Sequence, residues 1–202
     1  MAVDTQEPVI GVLALQGDFE AHRAALERAG ASPKEVRTAE QLDSVDGLVI
    51  PGGESTTMLK LLDYENLFEP LRRFGSQKPI FGTCAGAILL ASEVVNPEQR
   101  SLGLLDITVE RNGYGRQIDS RIAEIELKGG HSAEAVFIRA PIIRRVGPET
   151  KVLATYLDAP VLVEQGRHLA ATFHPELSRN PGEIHGMFVQ KVKEASSYMR
   201  RQ

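Results

Sequence analysis

The residues "Gly82-Thr83-Cys84-Ala85-Gly86" carry the strongest chemical signal in this chain. Cys84 is the only cysteine among 202 residues, so it has no intramolecular disulfide partner and is either a buried thiol or a reactive one. It stands between two glycines, where the apolar run "KPIF" stops and the helix-forming run "AGAILL" begins. This is the G-x-nucleophile-x-G form of a nucleophile elbow, a sharp strand-to-helix turn that exposes the nucleophile. A side chain at either flank would clash as the chain doubles back. A helix starting behind the sulfur favours the thiolate, and the Ala85 N–H points where an oxyanion would form. A packed structural cysteine is the plainer alternative for this residue type; the paired glycines favour display.

A nucleophilic thiol needs a base, and five histidines are available. His174 stands out in "Thr172-Phe173-His174-Pro175-Glu176". Pro175 biases His174 toward an extended conformation, in which residues i and i+2 project to one side. Glu176 would then hold one ring nitrogen while the other faces the thiol, the orienter–base–nucleophile logic of a triad. A hydrogen-bonded structural histidine is the competing reading. His22, His131, His168 and His185 read as surface or structural.

The loop "Pro51-Gly52-Gly53-Glu54-Ser55-Thr56-Thr57" follows another apolar run and opens on the same sheet edge. Its glycines let backbone N–H groups approach a ligand, which suits a second oxyanion donor. It lacks the lysine and spacing of a phosphate-binding loop. No elbow surrounds Ser55 as a nucleophile, and a helix cap is the ordinary role for such residues. Arg111 in "VERNGYGRQ" and Arg139 in "FIRAP" could pair bidentately with a substrate carboxylate; taken alone, each reads more simply as a solvated arginine. No Cys pair or H-E-x-x-H run suggests a metal, and no cofactor is expected.

These residues need a scaffold. "PVIGVLAL" (8–15), "KEVR" (34–37), "DGLVIPGG" (46–53) and "KPIFGTC" (78–84) read as strands. They alternate with helices over 18–30, over about 56–74 with a break near Asp63, and over "AGAILLASEVV" (85–95). Alternation of this kind predicts a parallel sheet with helices on both faces, whose ligands sit beyond the carboxyl ends of its strands. The second half reads as short strands, "LLDITVERN", "SRIAEIELKG", "AVFIRAP", "KVLATYL", "PVLVEQG" and "RHLAATFHPE", with a hairpin at "EQGRH". A closing helix presents Ile184, Met187, Phe188 and Val192. The expected fold is a three-layer α/β/α sandwich with a mixed, mostly parallel sheet, in one domain over 1–202.

Lys plus Arg is 23 and Asp plus Glu is 27, a formal charge of −4. This lacks the basic excess of a nucleic-acid binder. No apolar run nears the roughly 18 residues of a membrane span, and "MAVDTQEPVI" lacks the pattern of a signal peptide. A cytoplasmic protein is expected.

Taken together, these segments resemble the triad-type (class I) glutamine amidotransferases. Within that class they resemble the family of glutaminase subunits of two-protein pyridoxal 5'-phosphate synthases. "GTCAG" and "HPE" mark the broad class; "LQG", "PGGESTT", "ERNxxGRQ" and "FIRAP" narrow it, in the family's order, over about Val9 to Val192. The resemblance implies Cys84 as nucleophile, His174 as base, Glu176 as its orienter, and oxyanion donors at Gly53 and Ala85. It implies L-glutamine bound through Gly53, Glu54, Ser55, Arg111, Ile138 and Arg139. It further implies release of L-glutamate and ammonia, with the ammonia passing to a barrel-shaped synthase subunit in a hetero-oligomer. Such a glutaminase would be weak until the synthase docks, with Gly52–Gly53 as the segment that reorganises. The elbow and triad alone would equally fit a glutaminase of histidine or anthranilate biosynthesis, a cysteine hydrolase of similar fold, or a silent binding module on the same fold.

Overall fold

The computed structural model describes residues 7–112 and 120–199. Strand β1 (Val9–Leu13) is the first apolar run. Asp18 then accepts a hydrogen bond from the Ala21 N–H at 3.0 Å and caps α1 (Phe19–Arg28). Strand β2 (Ser32–Val36), a short helix α2 (Ala39–Leu42) and strand β3 (Gly47–Ile50) follow. The helical stretch beyond β3 is two helices, α3 (Ser55–Tyr64) and α4 (Phe68–Gln77), parted where Asn66 takes a left-handed φ of 53°. Strand β4 (Ile80–Thr83) leads through Cys84 into α5 (Ala85–Leu90).

One expectation fails here. "AGAILLASEVV" is not one helix: α5 stops at Leu90, and Ala91–Val95 is strand β5, parallel to β6 (Leu105–Glu110). Every α5 side chain is buried. The carbonyls of Leu89 and Leu90 accept from the Leu102 and Leu104 N–H groups, so the helix end is satisfied from outside. The β-branched Val94 and Val95 then pair in a strand, and tertiary pairing overrides a helical pattern.

The hairpin β7 (Ser120–Leu127) and β8 (His131–Ile138) turns through Lys128, Gly129 and Gly130. Strand β9 (Ile142–Val146), in a segment the sequence reading leaves between strands, pairs with β6. Strands β10 (Lys151–Tyr156), β11 (Ala159–Gln165) and β12 (His168–Ala171) complete the set, with the expected turn at Gly166-Arg167. A 3-10 turn (Pro175–Leu177) and helix α6 (Gly182–Met199) follow.

The large sheet runs β2-β1-β3-β4-β12-β11-β10-β7-β8; its first five strands are parallel and the rest antiparallel. Alternate side chains serve opposite faces. Ile10, Val12, Val49, Phe81 and Leu169 pack with Leu26, Ile184, Phe188 and Val192 of α1 and α6. Leu13, Leu48, Ile50, Ile80 and Ala170 pack with Met58, Leu62, Leu71, Phe74 and Ile88 of α3–α5, beside the small sheet β5-β6-β9. The result is the expected three-layer sandwich around a mixed sheet, parallel at its centre. No described helix is long and apolar enough to cross a membrane.

Candidate active site

Cys84 occupies a conformation that L-residues rarely adopt, φ 48° and ψ −104°, between β4 and α5. Its N–H donates to the Ala171 carbonyl at 2.8 Å, tying the turn to the neighbouring strand β12. Both flanking glycines are sterically required. A Cβ on Gly82 would stand 2.5 Å from the Gly86 carbonyl, and one on Gly86 only 2.1 Å from the Ile50 carbonyl oxygen. Backbone strain held in this way is a feature of functional sites. The thiol is only 5% exposed, so the elbow presents it at the floor of a cleft rather than on open surface. Ala85 is the first residue of α5, and its N–H has no intrahelical acceptor.

His174 follows β12, anchored by its N–H to the Val136 carbonyl at 2.8 Å. Its Nδ1 lies 2.7 Å from Glu176 Oε1. The contact forms, but not by strand alternation. The chain enters the 3-10 turn immediately after His174, so Glu176 folds back to the ring through the turn. Burial works against a charged His174. Hydrogen bonds and charge from Cys84 and Glu176 outweigh it and raise the imidazole to about 10. Burial likewise opposes ionisation of Glu176, 6% exposed, but the charge of His22 and the hydrogen bond from His174 hold its carboxyl well below the usual range. A cationic imidazole between a thiol and a buried carboxylate is an arrangement suited to nucleophilic attack.

The cleft above the thiol has a volume of about 300 Å³ and is lined by Gly53, Glu54, Ser55, Cys84, Ile88, Arg111, Asn112, Ile138, Arg139 and His174. Two of the sequence segments meet at its rim. Gln16 Nε2 donates to the Glu54 carbonyl at 2.7 Å, and a Cβ on Gly17 would stand 2.1 Å from the Gly52 carbonyl oxygen. "LQG" therefore buttresses "PGGES". The Glu54 carboxylate caps α3, accepting from the Thr56 and Thr57 N–H groups at 3.1 and 2.7 Å. Slight burial raises its pKa, and these bonds overcome that to bring it down to about 2. Arg111 Nη2 donates to Glu54 Oε1 at 3.2 Å and Thr56 Oγ1 at 2.8 Å. A guanidinium carries five donors, so its remaining face can take a ligand carboxylate. Ser55 Oγ donates to Gln99 Oε1 at 2.8 Å. Arg139 has a left-handed φ of 43° just beyond β8, and the Ile138 carbonyl lies 4.0 Å from the Cys84 sulfur. Residues 113–117, the later half of "ERNGYGRQ", lie outside the described residues.

The model of the SNO glutamine amidotransferase family matches residues 12–194. The chain belongs to this family. A protein named pyridoxal 5'-phosphate synthase subunit PdxT from Solibacter usitatus is 58% identical over 91% of this chain and 98% of that protein. A protein of the same name from Thermosipho africanus is 52% identical over 92% and 99%. A crystal structure described as a glutamine amidotransferase superposes with a TM-score of 0.85 at 48% identity, over 91% of this chain and 98% of that one. The PurLQS structure from Thermotoga maritima shares the fold, with a TM-score of 0.63 at 18% identity over 96% and 100%.

In this amidotransferase the structure gathers every named site residue around the cleft or directly beneath it. Ile88 and Asn112 also line it; Asn112 is itself the asparagine of "ERNxxGRQ", and Ile88 lies one helical turn beyond Cys84. The four remaining histidines divide. His131 is exposed on the β7–β8 hairpin. His168 is structural: it accepts the Ile80 N–H at 3.2 Å, and burial pushes its pKa down to about 4. His22 and His185 are fully buried behind Glu176. Each sits on the apolar stripe of its helix, with Ala25, Leu26 and Ala29 in one case and with Phe188, Val189 and Val192 in the other. That placement is the one signal the sequence offers for them.

Proposed function

We propose that this chain hydrolyses L-glutamine to L-glutamate and ammonia with Cys84, His174 and Glu176, and delivers the ammonia to a barrel-shaped synthase subunit that makes pyridoxal 5'-phosphate in the cytoplasm. The observation that carries the reading is His174, held at 2.7 Å by Glu176 and raised to about 10 by Glu176 and Cys84 together, at the floor of the cleft. The names of the relatives support the pathway.

The Cys84 sulfur attacks the side-chain amide carbon of glutamine, forming a C–S bond while the carbonyl π pair moves onto oxygen. The Ala85 and Gly53 N–H groups hold that oxyanion. His174 gives its proton to the amide nitrogen, the C–N bond breaks, and ammonia leaves a γ-glutamyl thioester. His174 then takes a proton from water, whose oxygen attacks the thioester carbon, and C–S cleavage returns the thiolate with glutamate. Arg111 and the Ile138–Arg139 segment hold the α-carboxylate and α-amino end, and the Glu54–Ser55 loop closes the other side.

Glutamate release should be measured for the chain alone and with its synthase partner, each beside Cys84→Ala. Cys84→Ala is expected to lower release at least about 10³-fold while leaving partner binding intact. Release that depends on Cys84 but ignores the partner would overturn the pathway. Release that survives Cys84→Ala would overturn the nucleophile.

A further inference from the structure

Glu176 is flanked by two imidazoles, one on each oxygen. Oε1 takes the His174 Nδ1–H at 2.7 Å. Oε2 is buried with no hydrogen-bond partner among the described residues, and His22 Nε2 lies 3.4 Å from it. The wiring behind His22 constrains its protons. The Pro181 carbonyl lies 2.6 Å from His185 Nδ1 and is only an acceptor, so that nitrogen carries a hydrogen. Burial pushes the His185 pKa down to about 3, which leaves the ring neutral with a bare Nε2. His22 Nδ1, 2.9 Å from that Nε2, must therefore be the donor.

His22 Nε2 then faces Glu176 Oε2 and, at 3.2 Å, Thr83 Oγ1. A neutral His22 would turn a lone pair on the buried carboxylate oxygen. An imidazolium would turn an N–H on it, and Thr83 Oγ1 would accept as well. Burying a carboxylate oxygen without a donor or counter-charge is the more costly arrangement.

We propose that His22 is a positioning residue of the reaction, an imidazolium that holds the rear oxygen of Glu176 while His185 fixes its ring. The proposal rests on the glutaminase reading and deepens it. During turnover His174 gives up its proton to ammonia and is briefly neutral, which removes the cation on Oε1. Without a second cation, the buried carboxylate would tend to take up the proton on which His174 depends. His22 keeps Glu176 ionised through that half of the cycle, so one imidazole moves protons while the other holds charge. The titratable groups facing Glu176 are His174 after β12, His22 on α1 and, one ring further, His185 on α6. No other charged side chain pairs with it among the described residues. These rings form a line rather than a shell, and no metal-binding cluster occurs among the described residues.

The test is His22→Gln in the complex with the synthase partner, together with 15N NMR of the wild-type histidine rings. His22→Gln keeps a donor without the charge. It is expected to lower kcat about 10–100-fold, the usual scale for outer-shell support, with KM within about two-fold. The acid limb of the kcat profile should move up by about one pH unit or more, because a lost neighbouring cation raises a carboxyl pKa by that order. His22 in the wild type should show two protonated ring nitrogens at pH 7. A bare Nε2 on His22 in the wild type, or an unmoved acid limb with wild-type kcat in His22→Gln, would overturn the proposal. If His22→Gln does not fold, the ring nitrogens decide alone. Failure of the glutaminase reading would show separately, as wild-type release that does not depend on Cys84.

Discussion

The parallel half of the large sheet and its antiparallel extension reach the cleft in different ways. Four parallel strands end there: Gln16–Gly17 follow β1, Gly52–Gly53 follow β3, Cys84 follows β4 and His174 follows β12. Among the described residues, the antiparallel extension contributes Ile138–Arg139, from β8 at the sheet's edge, and the small sheet contributes Arg111 after β6. Interior strands are hydrogen-bonded on both sides and buried on both faces, so the atoms at their ends are held in place. An edge strand is held on one side. In the proposed reading, the groups that form and break bonds sit at the ends of the parallel strands beside the Gly53–Ser55 loop, whereas Arg111, Ile138 and Arg139 reach the substrate from outside that half.

That division predicts a kinetic split. His174→Gln should lower kcat by about 10³-fold or more with KM changed only a few-fold, as for loss of a triad base. Steady-state kinetics with the synthase partner will read it, and a KM change as large as the kcat change would break the division. On the other half, Arg111→Ala should raise KM about 10–100-fold, the equivalent of one charged hydrogen-bond pair, with kcat near wild type. Equal losses in kcat and KM there would mean that Arg111, through Glu54 and Thr56, sets the Gly53 loop as well as the substrate.

The elbow tests the rigid half by folding rather than kinetics. Gly86→Ala forces a Cβ against the Ile50 carbonyl, which belongs to β3 and cannot swing aside like a side chain. Overpacking of this kind costs about 1–3 kcal/mol or more. Thermal unfolding should register it as a clear drop in Tm, and a Tm equal to wild type would show that β3 and α5 can part.

The two halves also differ in how far the sequence discloses them. The parallel strands β1, β3 and β4 are legible because each is a short apolar run closed by glycine or a helix cap, as at "GLVIPGG" and "IFGTCAG". The cleft motifs are legible for the same reason, since each lies at such a junction. What escapes depends on partners distant in sequence. Ala91–Val95 continues a helical pattern and becomes a strand only because β6 lies alongside it. Ile142–Val146 is bounded by Pro141 and Gly147 but carries two arginines in its five residues, and it pairs with residues more than thirty positions earlier. Glu176 reaches His174 by a turn that Pro175 starts, where alternation along a strand predicts the right contact for the wrong reason. His22 and His185 sit on apolar stripes, yet only the packing of α1 against α6 brings them together behind Glu176.

Glu54 offers the finest test, because in the proposed reading this carboxylate belongs to the grip and, like Glu176, it is held low. The causes differ: Glu176 is buried between imidazoles, whereas Glu54 is largely exposed and leans on backbone N–H groups at the start of α3. Its folded pKa of about 2 lies below its unfolded value. The ionised cap therefore contributes stability above the unfolded value near 4.5, and that contribution fades as pH falls toward 2. Removing a cap of this type costs about 0.5–2 kcal/mol, and the exposed setting places Glu54→Ala in the lower part of that range. Denaturant unfolding of wild type and Glu54→Ala should differ by a constant amount from about pH 8 to about pH 5, then converge as the medium is acidified. A difference that persists undiminished at about pH 3 would mean that the methylene packing of Glu54, rather than its charge on the α3 N–H groups, supports the loop, and that the grip does not depend on an ionised carboxylate there.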